Sequence, residues 1–363
     1  MRFIDEYRNP DLVRKLLDAV GVLAARIRHQ VTLMEICGTH THSIGRFGIR
    51  KLLPDNIRLI SGPGCPVCVT SIFDVDRALQ LAELPNVIFA TFGDMLRVPG
   101  TGGQSLQRLR ATGADVRIIS SALDALRLAE ENPKKDTVLL GIGFETTAPT
   151  VASTLLMARN KDLKNFFVFS VHKTVPPAIS ALLGDPELNI DGFLCPGHVS
   201  VITGKDAYRI IPEANRAAVI TGFEPVDIIE GILLILRQIV ENHFEVAIQY
   251  ARGVKKDGNL PARQIMAEVF EPSDATWRGL GTIPGSGLSI REDFKFFDAL
   301  NKFSIPEFSS AEFDGCRCGD ILRGVMSPPD CRLFRKVCTP TSPIGPCMVS
   351  GEGTCAAYIK YEL

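Results

Sequence analysis

The chain has 363 residues, of which 45% are hydrophobic and 22% are charged, as is ordinary for a soluble globular protein of two or three domains. The formal net charge is −1, which argues against nucleic acid or an anionic membrane surface as a partner of the whole chain. Because the N-terminus is charged and the most apolar stretch, 228–240, is interrupted by Glu230 and Arg237, we expect a cytoplasmic protein.

The first predicted element is a helix over residues 10–28, where Pro10 suits the first turn and apolar residues recur at helical spacing. Short apolar runs then alternate with amphipathic stretches. Strands are predicted for 31–36, 57–60, 87–90, 116–119, 138–142, 166–171, 193–195 and 217–220. Helices are predicted for 43–53, 72–84, 104–112, 122–131, 149–160, 175–183 and 225–241.

This alternation predicts an α/β fold in which helices cover parallel sheets. Four predicted strands on each side of Asn132 indicate two similar α/β domains, 31–132 and 133–242. The alternation stops after residue 242. Residues 243–363 are therefore predicted to form a third domain together with residues 1–30. This domain is predicted to be mainly helical or irregular, with its C-terminal part packed on the N-terminal helix.

Unusual residues collect in the loops that follow the predicted strands. These loops are 37–43, 61–68 and 91–105 in the first domain, and 143–150, 171–177, 195–204 and 221–225 in the second. Ligands of open α/β sheets bind at the carboxyl ends of strands, so we expect the two loop sets to face a shared cleft. Four polar residues of the second set could line it, although each taken singly is more often a capping or surface residue: Glu145, His172, Lys173 and His198.

The ten cysteines of a cytoplasmic chain indicate metal ligands or redox thiols rather than a disulfide framework. Six lie between residues 316 and 355, and three lie in two early loops. Cys195 ends an apolar run and is interpreted as a small core residue.

Cys65 and Cys68 form a CPVC motif after a predicted strand and before a helix. A thiol at a helix N-terminus has a lowered pKa, and two intervening residues allow a disulfide that opens and closes easily. The motif therefore indicates redox or metal chemistry, with an accidental pair of buried thiols as the alternative. Flanking glycine and proline residues favour the functional interpretation because they define a tight turn.

The motif CGTHTH brings Cys37, His40 and His42 within six residues. Thiolate and imidazole are both good ligands for iron, zinc or copper, and a histidine can instead carry protons beside a metal-bound thiolate. The alternative is two polar loop histidines and one buried cysteine.

In the tail, Cys318, Cys331, Cys338 and Cys355 are separated by 12, 6 and 16 residues. This spacing matches neither the paired motifs of zinc ribbons nor the compact motif of bacterial ferredoxins. A [4Fe–4S] cluster, a structural zinc site and unligated thiols all remain compatible with it. Two further tail cysteines, Cys316 and Cys347, have no assigned role.

Four motifs together resemble the HypD family of [NiFe]-hydrogenase maturation proteins, over nearly the whole chain. They are MEICGTHTH (34–42), GPGCPVCV (62–69), GFETTAPT (143–150) and the cysteine-rich tail (316–358). The resemblance implies that Cys37 binds iron, that Cys65 and Cys68 are redox thiols, and that a third domain holds a [4Fe–4S] cluster. Its ligands would be Cys318, Cys331, Cys338 and Cys355.

The resemblance also implies partners. HypC shares the iron ion on which the Fe(CN)2CO group is built, and HypE supplies cyanide derived from carbamoyl phosphate through HypF. The leading interpretation is thus a metallocentre-assembly scaffold with redox activity. A stand-alone iron–sulfur-dependent thiol–disulfide oxidoreductase is the alternative. A third possibility is a binding protein with zinc in the tail and a small anion in the cleft.

Overall fold

A computed structural model describes residues 4–306 and 308–362. Its strands are β1 (Val31–Glu35), β2 (Ile57–Ser61), β3 (Val87–Phe92), β4 (Val116–Ile119), β5 (Asp136–Gly141), β6 (Phe166–Ser170), β7 (Gly192–Pro196), β8 (Ala217–Thr221), β9 (Val246–Ile248), β10 (Phe270–Trp277) and β11 (Gly281–Ile290). Each of the eight predicted strands is therefore present.

The helices are α1 (Pro10–Ala24), α2 (Gly38–Arg46), α3 (Ile49–Leu52), α4 (Pro66–Val69), α5 (Ile72–Glu83), α6 (Leu106–Ala111), α7 (Ala122–Glu131), α8 (Ala148–Asn160), α9 (Val175–Leu183), α10 (Gly197–Thr203), α11 (Ile210–Glu213), α12 (Pro225–Glu241), α13 (Leu260–Val269), α14 (Ala299–Lys302), α15 (Cys318–Arg323) and α16 (Thr354–Tyr361). None of the described helices is long and apolar enough to cross a membrane.

Two parallel sheets form the body of the molecule. The first sheet has the strand order β2-β1-β7-β8-β9, and the second has the order β4-β3-β5-β6. Every neighbouring pair in both sheets is parallel. The inner strands β3, β7 and β8 are almost continuously apolar because helices cover the sheets. The prediction of an α/β fold with parallel sheets is confirmed.

The predicted division of the strands at residue 132 is wrong. The chain leaves the first sheet after β2, builds the whole second sheet from β3 to β6, and returns at β7, which pairs with β1. Residue 132 lies between β4 and β5, which belong to the same sheet. Apolar periodicity identifies a strand but carries no information about its neighbours in the sheet. The sequence pattern therefore could not distinguish two consecutive sets of four strands from this interleaved order.

The N-terminal helix does not pack on the tail as predicted. Helix α1 lies against α12, and its buried Val20 and Ala24 share a core with Ile228 and Ile232. The side chain of Asn9 accepts hydrogen bonds from the first backbone N–H groups of this helix. Helix α1 thus covers the first sheet, and it ends four residues earlier than predicted.

The region after residue 242 contains more strand than predicted. Strand β9 adds to the first sheet, and β10 and β11 form an antiparallel hairpin beside the edge strand β6. The hairpin contacts the second sheet where Lys173 bridges Gly287 and where Thr174 N donates to Ser286 O at 2.9 Å. The cysteine-rich tail that follows consists of short helices and turns, with α16 packed on α2.

Candidate thiol site between the two sheets

The CGTHTH and CPVC motifs meet at the carboxyl edge of the first sheet. Strands β1 and β2 are neighbours, with Glu35 opposite Ser61, so the segments that follow them leave the sheet side by side. Gly38 N donates to Gly64 O at 2.9 Å. A Cβ atom on Gly64 would lie 2.2 Å from Cys37 N, so this approach requires glycine.

Loops from both sheets converge on one cavity at this edge. Cys65 to Val67 line it from the first sheet, and Ser350 and Glu352 line it from the tail. The second sheet contributes residues 92–95 together with Ile142, Gly143 and Thr147, but not Glu145. The expectation of a cleft shared by the two sheets is confirmed for these loops. It is wrong for His172 and Lys173, which line a separate groove beside the β10–β11 hairpin.

Cys37 caps α2 and is only 8% exposed. Burial raises the pKa of its thiol to about 12, and the negative charge of nearby Glu352 adds to the effect. Glu352 is held close by Thr39, whose hydroxyl donates to the carboxylate at 2.7 Å. Behind the thiol, burial raises the pKa of Glu35 to about 7, although the Thr41 hydroxyl donates to this carboxyl group.

The two histidines of the motif lie on α2, which begins at Gly38 rather than at the predicted residue 43. His40 is buried, and its Nε2 lies 2.9 Å from the carbonyl of Gly222, so a neutral ring donates there. Burial lowers the pKa of His40 to about 4. His42 Nε2 lies 2.8 Å from the hydroxyl of Tyr361. Both rings therefore attach α2 to neighbouring segments, and a direct chemical role for them stays a prediction.

The thiols of the CPVC motif are both buried. Cys65 caps the single turn of α4, and its sulfur accepts from Cys68 N at 3.3 Å. The expected lowering of thiol pKa by the helix is wrong for Cys68, whose pKa is raised well above its ordinary value by burial. One helical turn provides a small dipole, and the loss of hydration outweighs it.

All six cysteines of the tail line one small cavity next to α4. They are Cys316, Cys318, Cys331, Cys338, Cys347 and Cys355. The remaining lining is largely apolar and includes no carboxylate and no imidazole among the described residues. A set of thiols in an apolar enclosure fits the chemistry of an iron–sulfur cluster. No group of three or more His, Cys, Asp or Glu within the described ranges is arranged around a single metal-ion position.

Cys347, to which sequence reasoning assigned no role, connects this cavity with the CPVC motif. Its sulfur lies 2.7 Å from that of Cys318 and also contacts Cys68 and Cys355. A chain of thiols thus runs from Cys68 through Cys347 to Cys318. Cys318 also contacts Cys316, the sixth thiol of the cavity. The only sequence signal of these additional thiols was that the tail has six cysteines, whereas a [4Fe–4S] cluster needs four ligands.

Other loop residues of the two sheets contact neighbouring segments of the chain. Asp94 accepts from the Ser350 hydroxyl at 3.0 Å, and Arg97 donates to the carbonyl of Val349 at 3.3 Å. Glu145 caps α9 by accepting from Val175 N at 3.0 Å, which bears out the capping interpretation of this residue. His198 stacks on Phe223, with ring centroids 3.9 Å apart. Sequence reasoning missed the position of Glu352 beside Cys37 because the two are distant in the chain.

Comparison with known proteins shows which family model and which relatives the chain matches. Residues 11–362 match the family model described as HypD, "Hydrogenase formation hypA family". The chain is 44% identical to "Hydrogenase maturation factor HypD" of Escherichia coli over 368 residues, which cover 100% of this chain and 98% of the relative. It is 46% identical to the protein of the same name from Azotobacter vinelandii, over 99% of this chain and 97% of the relative. A putative hydrogenase expression/formation protein of Methanocaldococcus jannaschii is 44% identical, over 97% of each chain.

Proposed function

The chain belongs to the HypD family of hydrogenase maturation factors, and on this basis we propose that it holds iron while the Fe(CN)2CO group of a [NiFe]-hydrogenase is assembled. A maturation factor acts with other maturation proteins. We propose HypC as the partner that shares the iron and HypE as the donor of cyanide. The observation that carries the proposal is the close approach of the Cys37 and Cys65 segments at Gly64, beside a cleft that Cys65 lines and with a chain of thiols behind it.

Cys37 is suited to bind a metal ion that must later be released. With its pKa at about 12, the thiol is protonated in the absence of a cation, and iron(II) would displace that proton on binding. A single protein thiolate, with the second supplied by HypC, allows the finished group to be transferred. Glu352 adds a negative charge that disfavours a thiolate alone and favours a bound cation.

Cys65 and Cys68 are proposed as a redox pair. Reduction of a disulfide between them would take up two electrons and two protons and yield two thiols. A [4Fe–4S] cluster held by Cys318, Cys331, Cys338 and Cys355 would supply electrons singly at the neighbouring cavity. Cys347 lies between the two groups of thiols, where it can exchange with Cys68.

Infrared spectroscopy of the anaerobically purified complex with HypC tests the iron site. Iron-bound cyanide and CO bands are expected in the wild type and should disappear in Cys37→Ala. Cys195→Ala is the matched control, since it removes a buried thiol that does not line the cleft. Undiminished bands in Cys37→Ala would refute the proposed iron ligand.

Metal and sulfide analysis tests the cluster. Iron and acid-labile sulfide in equal amounts are expected, together with broad visible absorption, whereas stoichiometric zinc would contradict the cluster. Cys331→Ala should abolish it. Comparing Cys316→Ala with Cys318→Ala identifies the fourth ligand, since only the ligand's variant should lose iron.

The chain of thiols also favours a second function, that of a stand-alone thiol–disulfide oxidoreductase. The Cys65→Ala/Cys68→Ala variant separates the two. Loss of disulfide reductase activity together with loss of iron-bound cyanide and CO supports the redox scaffold. Full assembly in this variant would show that the pair is not needed for maturation.

A further inference from the structure

The segment that connects Cys331 to Cys338 carries a concentration of exposed positive charge. Arg332, Arg335 and Lys336 are all exposed, and no aspartate or glutamate occurs between Asp330 and Glu352. Within the part of the chain that the structure describes, none of the three cations forms an ion pair. The preceding Asp330 already accepts a hydrogen bond from the Ser327 hydroxyl at 2.6 Å.

The same segment has its inner face on the cavity of six cysteines. Cys331, Leu333, Phe334 and Cys338 line that cavity, while the basic residues between them point to solvent. Val337, which is 54% exposed, places an apolar side chain next to the cations.

Backbone geometry shows that the segment is an ordered turn. Cys338 N donates to Leu333 O at 2.9 Å, and Arg335 N donates to Cys338 O at 3.1 Å. Arg335 adopts φ 62°, a left-handed conformation that glycine or asparagine would accept at lower cost. An arginine at such a position is unusual among the described residues, since the other four non-glycine residues with positive φ are asparagine or aspartate.

We propose that the 331–338 turn is the docking surface for an acidic one-electron carrier protein of the iron–sulfur or flavin class. The inference rests on the proposed cluster, whose cavity begins immediately beneath the turn. Each carrier that docks would give up one electron and leave oxidised, without formation or cleavage of a covalent bond. Two such events, with two protons from solvent, match the reduction of one disulfide to two thiols.

Charge complementarity is the physical reason for an acidic partner. Unpaired cations on a rigid surface accelerate encounter with a negatively charged protein and orient it, and this attraction weakens as salt rises. Because the net charge of the whole chain is −1, attraction of an acidic protein has to come from a local patch such as this turn. Brief encounters of this kind suit electron transfer, since the carrier must leave after each electron.

The experiment uses the full-length protein, purified anaerobically, and an acidic plant-type [2Fe–2S] ferredoxin as the probe. Its affinity is measured by calorimetry at low and high salt. In a triple variant, Arg332→Gln, Arg335→Gln and Lys336→Gln, affinity is expected to fall about tenfold or more at low salt, with a weaker salt dependence. The matched control replaces three exposed cations elsewhere, Arg26, Arg28 and Lys134, by glutamine and should bind as the wild type does.

Lys336→Gln alone provides a variant that leaves the left-handed residue untouched, and it should weaken binding while Lys336→Arg preserves it. Reduction by dithionite, which needs no docking, should proceed equally in all variants.

Unchanged ferredoxin affinity in the triple variant would overturn the proposal, as would equal losses in the control. Equally tight binding of a short single-stranded RNA would also overturn it. Absence of iron and sulfide from the wild type would instead refute the cluster, while the affinities would still decide the docking surface.

Discussion

At the scale of single residues, burial dominates the chemistry of the site. Cys37 and Cys68 both lie in surroundings that disfavour a thiolate, and the pKa of each thiol is raised. Such thiols react slowly until a metal ion or a partner thiol replaces the missing hydration. For a protein proposed to keep an iron site free until its partner arrives, this low intrinsic reactivity is useful.

The carboxylate of Glu352 should influence Cys37 directly. We expect Glu352→Gln to lower the pKa of the Cys37 thiol by about one unit, because a like charge near the thiolate is removed while the acceptor for Thr39 is kept. The measurement is the pH profile of iodoacetamide alkylation at Cys37, followed by peptide mass spectrometry. The exposed Glu213→Gln serves as control, and superimposable profiles for Glu352→Gln and the wild type would contradict the prediction.

His172 is buried with one ring nitrogen unpaired. The Ser170 hydroxyl donates its only proton to Leu288 O at 2.7 Å, so His172 Nδ1 must donate to Ser170 and Nε2 is left without a partner. Burial lowers the pKa of this ring to about 3. The unfolded ring binds a proton near pH 6.5, so its contribution to stability is present above that pH and is lost as pH falls toward 3.

Other buried groups act in the opposite direction. Glu35 and Glu145 have pKa values raised to about 7, so their contribution to the stability of the folded protein is lost as pH rises from about 4.5 to 7. The effect of His172 is therefore measured as a difference in pH dependence between a variant and the wild type. Between pH 6.5 and 4.5 the unfolding free energy of His172→Asn should fall by about 2–3 kcal/mol less than that of the wild type, measured by denaturant titration. The exposed His243→Asn should behave as the wild type, and identical slopes for His172→Asn would disprove the assignment.

At the scale of elements, the site depends on how closely two helix starts approach. Cys37 at the start of α2 and Cys65 at the start of α4 are brought together by the backbone contact at Gly64. The CPVC motif and its strand were recognisable from sequence because glycine and proline mark the turn. The start of α2 was not, since Gly38 and Thr39 have poor helix propensity and the helix exists because it packs on α16.

Two glycines provide a matched test of this approach. Gly64→Ala would place a methyl group against the backbone of Cys37 and Ile36, and we expect a loss of about 3 kcal/mol in unfolding free energy. Gly21→Ala lies in α1 with nothing within 4 Å, and a gain of about 0.5–1 kcal/mol is expected from higher helix propensity. Denaturant titration of both variants checks the pair. A Gly64→Ala protein as stable as the wild type would show that the contact is loose.

At the scale of the whole molecule, the two sheets share one core. A single cluster of buried residues includes Phe89 and Val138 of the second sheet together with Phe193 and Ile220 of the first. Trp277 joins further parts of this core, since its ring stacks on Phe144 and its backbone bridges Thr70. The chain also crosses between the sheets twice, after β2 and after β6.

We therefore expect the two sheets to unfold together. Trp277 is the only tryptophan, so its fluorescence reports on this junction, while far-UV circular dichroism reports on all helices and strands. The two signals should give coincident denaturant transitions with the same midpoint, as a two-state process requires. Separate midpoints would show that one sheet unfolds while the other remains.

The sequence alone determined the eight strands, the parallel sheets and the motif cysteines, because local periodicity and spacing carry those features. The tertiary structure decided which strands pair, since β1 acquires β7 as a neighbour across more than 150 residues. It also decided that Glu352 lies beside Cys37, that Cys347 joins Cys68 to Cys318, and that the basic turn covers the six-cysteine cavity. These relations depend on burial and on contacts between distant segments, which no local pattern encodes.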